Sequence, residues 1–254
     1  MEMQLSSEIF EISRYVLKTT GAVISLIYFF IAFINYRKEK KLTSKYISFY
    51  FMCYFFFPGL AILNQVFPEA NNVFVGAELF LSILGNIALF FFSLELFSSE
   101  DYVKSKKFKI FVVIYVFLGF ISSFILSYVT FAVNEGILEV ESKYFGYIGV
   151  IILYILHFVS YIYLFCNMLM TSRKLKKIGS IEYSDAKIIN FIRRAYVLAL
   201  GCVFMIIMLI VMNIDLQTVE GRTIYNLISW ILFIVVISFF FLGFNSSRKE
   251  NLEE

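Results

Sequence analysis

Long apolar runs, separated by short polar connections, make up most of the chain. Seven runs hold about 20 residues or more, which at 1.5 Å per residue is enough to cross a hydrocarbon core about 30 Å thick. Because unpaired backbone groups are costly in lipid, runs this long and continuous predict helices rather than barrel strands. The predicted spans are residues 15–36, 46–67, 73–97, 110–132, 145–170, 195–216 and 223–244.

The composition agrees with this pattern. Of the 254 residues, 60% are hydrophobic and only 16% are charged, and the mean hydropathy is +0.82, outside the range of soluble domains. The longest connection, 171–194, is too short and too basic to form a domain with its own core. We therefore expect an all-α polytopic membrane protein whose single domain is one bundle of seven helices, covering residues 1–254.

Basic residues predict the orientation, because Lys and Arg near the ends of spans are retained in the cytoplasm. The connection 37–45 carries five of them, 98–109 carries four, 171–196 carries seven and the C-terminal tail carries two, so 18 of the 22 lie on one side. The N-terminus is therefore predicted outside and the C-terminus inside, which fits seven crossings. The predicted location is the cell membrane, with the lipid bilayer as the first partner.

Polar residues within the spans are site candidates, since each is costly in hydrocarbon. Glu78, Ser82 and Asn86 of the third span are spaced by four residues and share one helical face. We expect Glu78 to face an interior polar cavity open to the outside. Arg14 and Lys18, at the outer end of the first span, are the expected partners of its carboxylate.

Other polar residues cluster at the outer ends of the spans. Gln65, Asp215 and Tyr225 are explained by capping and by positions at headgroup level. Trp230, one turn below Asn226 in the seventh span, is placed on the wall of the same cavity as Glu78. The outer half of the protein is therefore the predicted ligand-binding half.

The only histidine, His157, lies at the centre of the fifth span. Tyr154, three residues before it, and Tyr161, four residues after it, share its helical face. We expect the imidazole to be a hydrogen-bonded link between two helices, with a proton relay as the alternative, because histidine titrates near neutral pH. One histidine without further ligands nearby predicts no metal site. His157 and the two tyrosines stay on the list of candidate ligand-binding residues.

The outline of the protein is similar to a microbial rhodopsin and to a G-protein-coupled receptor, but it lacks the motifs of both. Retinal would need a lysine in the seventh helix, and "TIYNLISWILFIVVISFFFLGF" contains none. The third span ends in "SLELFSSEDYVK" without an Asp/Glu-Arg-Tyr triplet, and the seventh ends in "LGFNSSRK" without Asn-Pro-x-x-Tyr. We therefore expect neither retinal nor any other cofactor.

The segment "SRKLKKIGSIEYSDAKIINFIRRAYVLALGCVFMIIM" resembles the inner connection between helices five and six in prokaryotic seven-transmembrane-helix sensor regions, of the type that precedes histidine kinases. The shared features are a basic end to helix five, a short linker and an arginine-led sixth helix rich in small residues. The resemblance implies a sensor. Because ten residues follow the seventh span, we expect its output to be a separate cytoplasmic protein.

The same inner connection is the candidate docking surface for that protein. Ser184 or Asp185 could cap a helix that runs through "AKIINFIRRAY" into the sixth span. Lys187, Arg193 and Arg194 would then be available to an effector or to lipid phosphate. Retention on the cytoplasmic side and attraction to anionic lipid also account for this charge, so both interpretations stay open.

Motifs of enzymes are absent from the sequence, including the metalloprotease His-Glu-x-x-His, the Gly-x-Ser-x-Gly of hydrolases and phosphate-binding glycine loops. The basic residues are dispersed over inner connections, which does not indicate nucleic-acid binding. Two functions remain. A receptor that senses an external small molecule predicts a polar cavity closed towards the cytoplasm, whereas a small-solute or proton transporter or channel subunit predicts a continuous polar path past His157 and Asn167.

Overall fold

The computed structural model describes residues 2–97, 105–134, 142–182, 186–211 and 219–245. Within these ranges the chain is helical, with a 3-10 turn at Pro68–Ala70. The seven helices are α1 (Glu2–Glu39), α2 (Leu42–Val66), α3 (Asn71–Phe97), α4 (Lys106–Asn134), α5 (Ser142–Glu182), α6 (Ala186–Val211) and α7 (Val219–Asn245).

Each of these seven helices contains a segment long and apolar enough to cross a membrane. The all-helical class and the seven predicted spans are therefore confirmed for the described residues, and they indicate a multi-pass membrane protein. Residues 212–216, at the end of the sixth predicted span, lie outside the described residues.

The helices extend beyond the apolar runs that predicted them. α1 begins at Glu2 rather than near residue 15, and α5 continues to Glu182 through the basic segment after residue 170. α6 begins at Ala186, so the helix expected through "AKIINFIRRAY" is present. Hydropathy marks only the part of a helix suited to lipid, whereas Lys, Arg and Glu are good helix formers and allow the backbone hydrogen bonding to continue.

A sharp turn at Lys40 separates α1 from α2. Lys40 has a φ of 53°, in the left-handed region that non-glycine residues rarely adopt, and its N–H donates to Tyr36 O at 2.7 Å. α2 begins two residues later at Leu42. This tight connection makes α1 and α2 an antiparallel helical hairpin.

The chain divides into two compact units, Met1–Ser160 and Tyr161–Glu254, and α5 contributes to both. In unit one, α2 packs against α1 and against α3, and α3 also packs against α4. Small residues allow the close approaches. A Cβ on Gly85 of α3 would lie 2.8 Å from Tyr54 Cε2 of α2, and one on Gly119 of α4 would lie 2.6 Å from Ile83 Cγ2 of α3.

α4 presents a broad apolar face outwards from unit one. Phe117 is 61% exposed, and the other large exposed side chains of α4 repeat along one side of the helix, where lipid is the expected neighbour. The opposite side carries the buried residues Tyr115, Ser122 and Ser123. α4 therefore has one buried side and one exposed apolar side.

α2 runs through a buried proline without a break. Pro58 lies inside Leu42–Val66 and has no N–H to donate to the carbonyl four residues earlier. At the end of α2, the N–H of Phe67 donates to Leu63 O at 2.8 Å and closes the last turn.

Unit two contains α6 and α7 packed against each other, with the C-terminal part of α5. Gly201 of α6 lies against Phe239 and Phe240 of α7, and Gly243 of α7 lies against Leu198 of α6. The ring of Phe240 stacks on that of Tyr161 with centroids 6.1 Å apart. Its core is thus aromatic and aliphatic.

Candidate functional site

The polar face of α3 (Glu78, Ser82 and Asn86) is the centre of the candidate site in unit one. Successive members lie four residues, and so about 6 Å, apart along the helix axis. Ser82 and Asn86 are buried and Glu78 is half-buried. Glu78 is nearest the end of the unit at which α1 begins, which is called the N-terminal end below.

At this end, α1 brings two cations to the last turns of α2. Lys18 is buried, and its Nζ donates to Ala61 O at 3.0 Å. With the Gln65 amide turned so that its oxygen faces the cations, Oε1 accepts from Arg14 Nε at 2.6 Å, from Lys18 Nζ at 3.3 Å and from Arg14 Nη2. Arg14, Lys18, Gln65 and Glu78 are together called the charged cluster.

Glu78 enters this cluster through its charge. Lys18 and Glu78 interact electrostatically, as the sequence led us to expect, whereas Arg14 has Gln65 as its hydrogen-bond partner. Gln65, which was expected to be a cap at headgroup level, holds both cations in this orientation of its amide. The Oε1 atom of Glu78 is buried and has no hydrogen-bond donor among the described residues.

One turn deeper, Ser82 meets His157. His157 is 3% exposed, and its Nε2 lies 3.3 Å from Ser82 Oγ, while its Nδ1 lies 2.8 Å from Leu153 O. A carbonyl oxygen can only accept, so Nδ1 carries a proton and Nε2 of the neutral ring is the acceptor. The Ser82 hydroxyl also lies 2.8 Å from Leu79 O, so its one proton has two acceptors in reach.

Further hydrogen bonds tie α4 to α5 around this histidine. The hydroxyl of Tyr115 donates to Leu156 O and lies 3.0 Å from Ser160 Oγ. Ser122 Oγ donates to Gly149 O at 2.7 Å. His157 therefore belongs to a set of polar contacts that join helices, which is the arrangement expected of a hydrogen-bonded link.

The deepest member of the polar face is Asn86, which is 0% exposed. Its Oδ1 accepts from the Tyr54 hydroxyl of α2 at 3.3 Å, while its Nδ2 has no partner among the described residues. Sequence reasoning missed Tyr54. It begins the run "YFFF", where nothing in the pattern distinguishes a hydrogen-bonding tyrosine from its apolar neighbours.

The three predicted aromatic site residues have aromatic neighbours. Tyr154 stacks on Phe158 in the same helix, with ring centroids 5.8 Å apart. In unit two, Tyr161 stacks on Phe240, and Trp230 packs edge-on against Phe233 at 5.5 Å. Ser82, Asn86 and His157 make hydrogen-bonding contacts in unit one, and Glu78 interacts with Lys18 through charge.

Of the predicted docking residues, Arg193 is exposed on α6 and Arg194 is half-buried. Lys187 belongs to α6, but its side chain lies outside the described residues. Ser184 and Asp185, the predicted caps, also lie outside them.

Metal-binding groups are scarce in the described ranges. No group of three or more His, Cys, Asp or Glu side chains there is arranged to hold a metal ion. The three cysteines are free thiols, two of them buried (Cys53 and Cys202) and one exposed (Cys166). The polar chemistry of the described site thus rests on charge and hydrogen bonding.

Comparison with known proteins adds no relative to this picture. No protein-family model, curated protein or solved structure matches the chain. The function must therefore be inferred from its own residues.

Proposed function

We propose that this protein is a receptor-like sensor of the cell membrane, which binds a small polar molecule from outside at the charged cluster and signals through a separate partner. The orientation is part of the proposal. It is supported by the 18 of 22 Lys and Arg residues in the connections and tail on the other side from the N-terminus. In that orientation the N-terminal end of unit one, with the charged cluster, faces outside.

The observation that carries the proposal is the contrast between the two ends of the helices. At the N-terminal end of unit one, polar side chains from three helices converge on the charged cluster. Towards the other end, Ser93 donates to the carbonyl four residues earlier in its own helix. In unit two, Asn167 and Ser172 do the same. Side chains bonded to their own backbone do not form a polar path, which favours a site closed towards the cytoplasm.

Between these ends, the interior polar groups of unit one contact one another in pairs. Ser82 contacts His157, and Asn86 accepts from Tyr54. Buried pairs of this kind hold helices together, and a solute that moved past them would have to break them. They support a binding site above a packed interior.

A transporter or channel subunit is the second candidate, and one observation favours it. Glu78 Oε1 and Asn86 Nδ2 are both buried without partners in the described part of the chain, at two depths about 12 Å apart along α3. Buried unsatisfied polar atoms are the atoms that internal water binds. A water file between them would extend the charged cluster inwards.

A flux measurement separates the two candidates. The purified chain is reconstituted in liposomes, and proton flux is followed with an entrapped pH-sensitive dye under an imposed gradient. We expect a rate equal to that of empty liposomes. A flux that appears with the native chain and disappears in Glu78→Gln would overturn the sensor proposal and establish the second candidate.

The start of α6 is the proposed docking surface for the cytoplasmic partner. Lys187, Arg193 and Arg194 remain the candidate docking residues, and anionic lipid headgroups compete for the same charge. Arg193, which is exposed, is the residue to change first. In a sensor, Arg193→Gln should weaken the cellular response to ligand without weakening ligand binding to the purified protein.

A further inference from the structure

The hydrogen bonding of the charged cluster is incomplete at Arg14. A guanidinium group has five N–H donors. Arg14 uses Nε and Nη2 on a single acceptor atom, Gln65 Oε1. Within the described ranges Gln65 is the acceptor found for Arg14, so the edge that carries Nη1 is available to a further acceptor. Two parallel N–H groups fit a carboxylate oxygen pair best.

The hydrogen bonding of the cluster is also incomplete at Glu78, where a donor is missing rather than an acceptor. Its Oε1 is buried and lacks a donor in the described part of the chain. Lys18 interacts with this carboxylate electrostatically, but its Nζ already donates to Ala61 O and reaches Gln65 Oε1. A buried carboxylate oxygen without a donor is unfavourable, so this position requires a hydrogen-bond donor, best a charged one.

From these two requirements we infer that the charged cluster binds a small zwitterion, with its ammonium group on Glu78 and its carboxylate on Arg14. The inference rests on the proposed function, which makes the cluster a ligand site open to the outside, and it adds the chemical class of the ligand. Lys18 holds Gln65 in place and is not itself a ligand contact.

Ligands with a single charge satisfy only one of the two positions. A monocarboxylate would balance the net positive charge of Arg14, Lys18 and Glu78 but would leave Oε1 of Glu78 without a donor. A monoamine would pair with Glu78 but would add a third cation beside Lys18 and Arg14. A zwitterion supplies the donor and the acceptor and leaves the net charge of the site unchanged.

The positions of Arg14 and Lys18 along α1 also predict how the bound zwitterion is oriented. Arg14 lies one helical turn, about 6 Å, nearer the N-terminal end than Lys18, the cation that interacts with Glu78. The carboxylate of the ligand therefore points towards the opening and its ammonium group lies deeper. Amino acids in which the two charges are separated by different numbers of methylene groups will measure this spacing.

The test uses the full chain in phospholipid nanodiscs, with binding measured by isothermal titration calorimetry. The probes are glycine, 3-aminopropanoate, 4-aminobutanoate and 5-aminopentanoate, with butylamine and butanoate as singly charged controls. We expect one amino acid of the series to bind at least tenfold more tightly than either control. Glu78→Gln and Arg14→Gln should each weaken that binding at least tenfold.

Matched variants keep the result interpretable. Glu11→Gln changes an exposed acid one turn from Arg14 on α1 and should leave the affinity unchanged. If Arg14→Gln does not fold, Arg14→Lys preserves the charge but not the paired N–H groups, and it should still weaken binding. Proper folding of every variant is checked by its thermal unfolding in the same nanodiscs.

Three results would overturn the inference. Butylamine binding as tightly as the amino acids, with no effect of Arg14→Gln, would indicate a cation site. Butanoate binding as tightly, with no effect of Glu78→Gln, would indicate an anion site. A folded protein that binds none of the series would exclude a simple amino-acid zwitterion. All three are binding results. Failure of the sensor proposal would instead be measured as proton flux in liposomes, so the two failures are distinguishable.

Discussion

His157 Nε2 lies 3.3 Å from Ser82 Oγ, and this contact joins α5 to α3. Because Nδ1 donates to Leu153 O, a neutral His157 can only accept at Nε2, and the Ser82 hydroxyl must then turn away from Leu79 O to donate to the ring. A protonated ring would instead donate to Ser82 and leave the hydroxyl on Leu79 O. The position of one serine proton thus depends on the charge of the histidine.

We expect this contact to stabilise unit one modestly. In a double-mutant cycle with Ser82→Ala and His157→Phe, the coupling free energy of unfolding should be about 0.6 kcal/mol, the average for interhelical hydrogen bonds in membranes. Reversible unfolding in mixed detergent micelles measures it. Ser93→Ala is the control, since Ser93 bonds to its own helix and should show no coupling to His157.

Gly85 and Gly59 form a matched pair for helix packing. Gly85→Ala should lower the free energy of unfolding by about 1 to 3 kcal/mol, because the new Cβ would lie 2.8 Å from the Tyr54 ring. Gly59→Ala meets no described atom within 4 Å and should be neutral or slightly stabilising, since Ala is the better helix former. Thermal unfolding in detergent compares them. Equal losses of stability would mean that α2 and α3 do not pack as described.

The charges of Lys18 and Glu78 should be energetically coupled. Lys18→Met leaves the Glu78 carboxylate without its nearby counter-charge, and Glu78→Gln removes a negative charge beside two cations. The double variant should therefore be more stable than the sum of the two single losses predicts, by about 1 to 3 kcal/mol. Additive effects in the unfolding cycle would show that the two charges do not interact.

Phenylalanine substitutions should distinguish the lipid face from the interior. Phe117→Leu should be nearly silent because this side chain is 61% exposed on α4. Phe51→Leu should cost about 1 kcal/mol, because the Phe51 side chain is fully buried and the smaller one leaves a void.

Polar substitutions on α3 complete this series. Glu78→Ala and Asn86→Leu should disturb folding or the ligand response more than Phe117→Leu does. Asn86→Leu does so because the Tyr54 hydroxyl would lose its acceptor. A thermal-stability series in detergent measures all four variants. The reverse order would mean that interior and lipid-facing surfaces have been interchanged.

The sidedness of the protein can be tested directly. In a variant whose three native cysteines are replaced by alanine, Glu69→Cys places a thiol at an exposed position of the turn Pro68–Ala70, and Lys107→Cys places one at the exposed start of α4. A membrane-impermeant maleimide added to intact cells should label the first and not the second. Labelling of Lys107→Cys alone would reverse the proposed orientation.

The sequence predicted the helices well because lipid allows few alternatives to a helix in an apolar run of that length. It also predicted the charge interaction of Lys18 with Glu78, because opposite charges at the same depth of a membrane rarely stay apart. Arg14 was expected to pair with the same carboxylate, whereas its described partner is Gln65. The predicted boundaries were too short wherever a helix continued into polar sequence, as α5 does to Glu182. Hydropathy carries no information on that extension.

The partners of the site residues were harder to predict. Gln65 contacts Arg14 and Lys18, and Tyr54 contacts Asn86. These contacts depend on how α2 is rotated about its axis and on how closely it packs at Gly85. The pattern of a single sequence specifies neither the rotation nor the packing distance. His157 was correctly recognised as a buried polar residue, but its neighbour Ser82 comes from a helix 75 residues earlier in the chain. Such long-range pairs depend on which faces of the helices meet.

Pro58 makes α2 easier to bend at one point, although the helix is continuous. The missing backbone hydrogen bond at Pro58 makes this the point at which α2 bends most easily. On one side of Pro58, Gln65 holds Arg14 and Lys18. On the other side, Tyr54 donates to Asn86. Tilting of the last two turns is therefore resisted less by the backbone than by the side chains at either end. α2 would therefore act as two segments joined at Pro58, and the joint lies between the charged cluster and the contact of Tyr54 with Asn86.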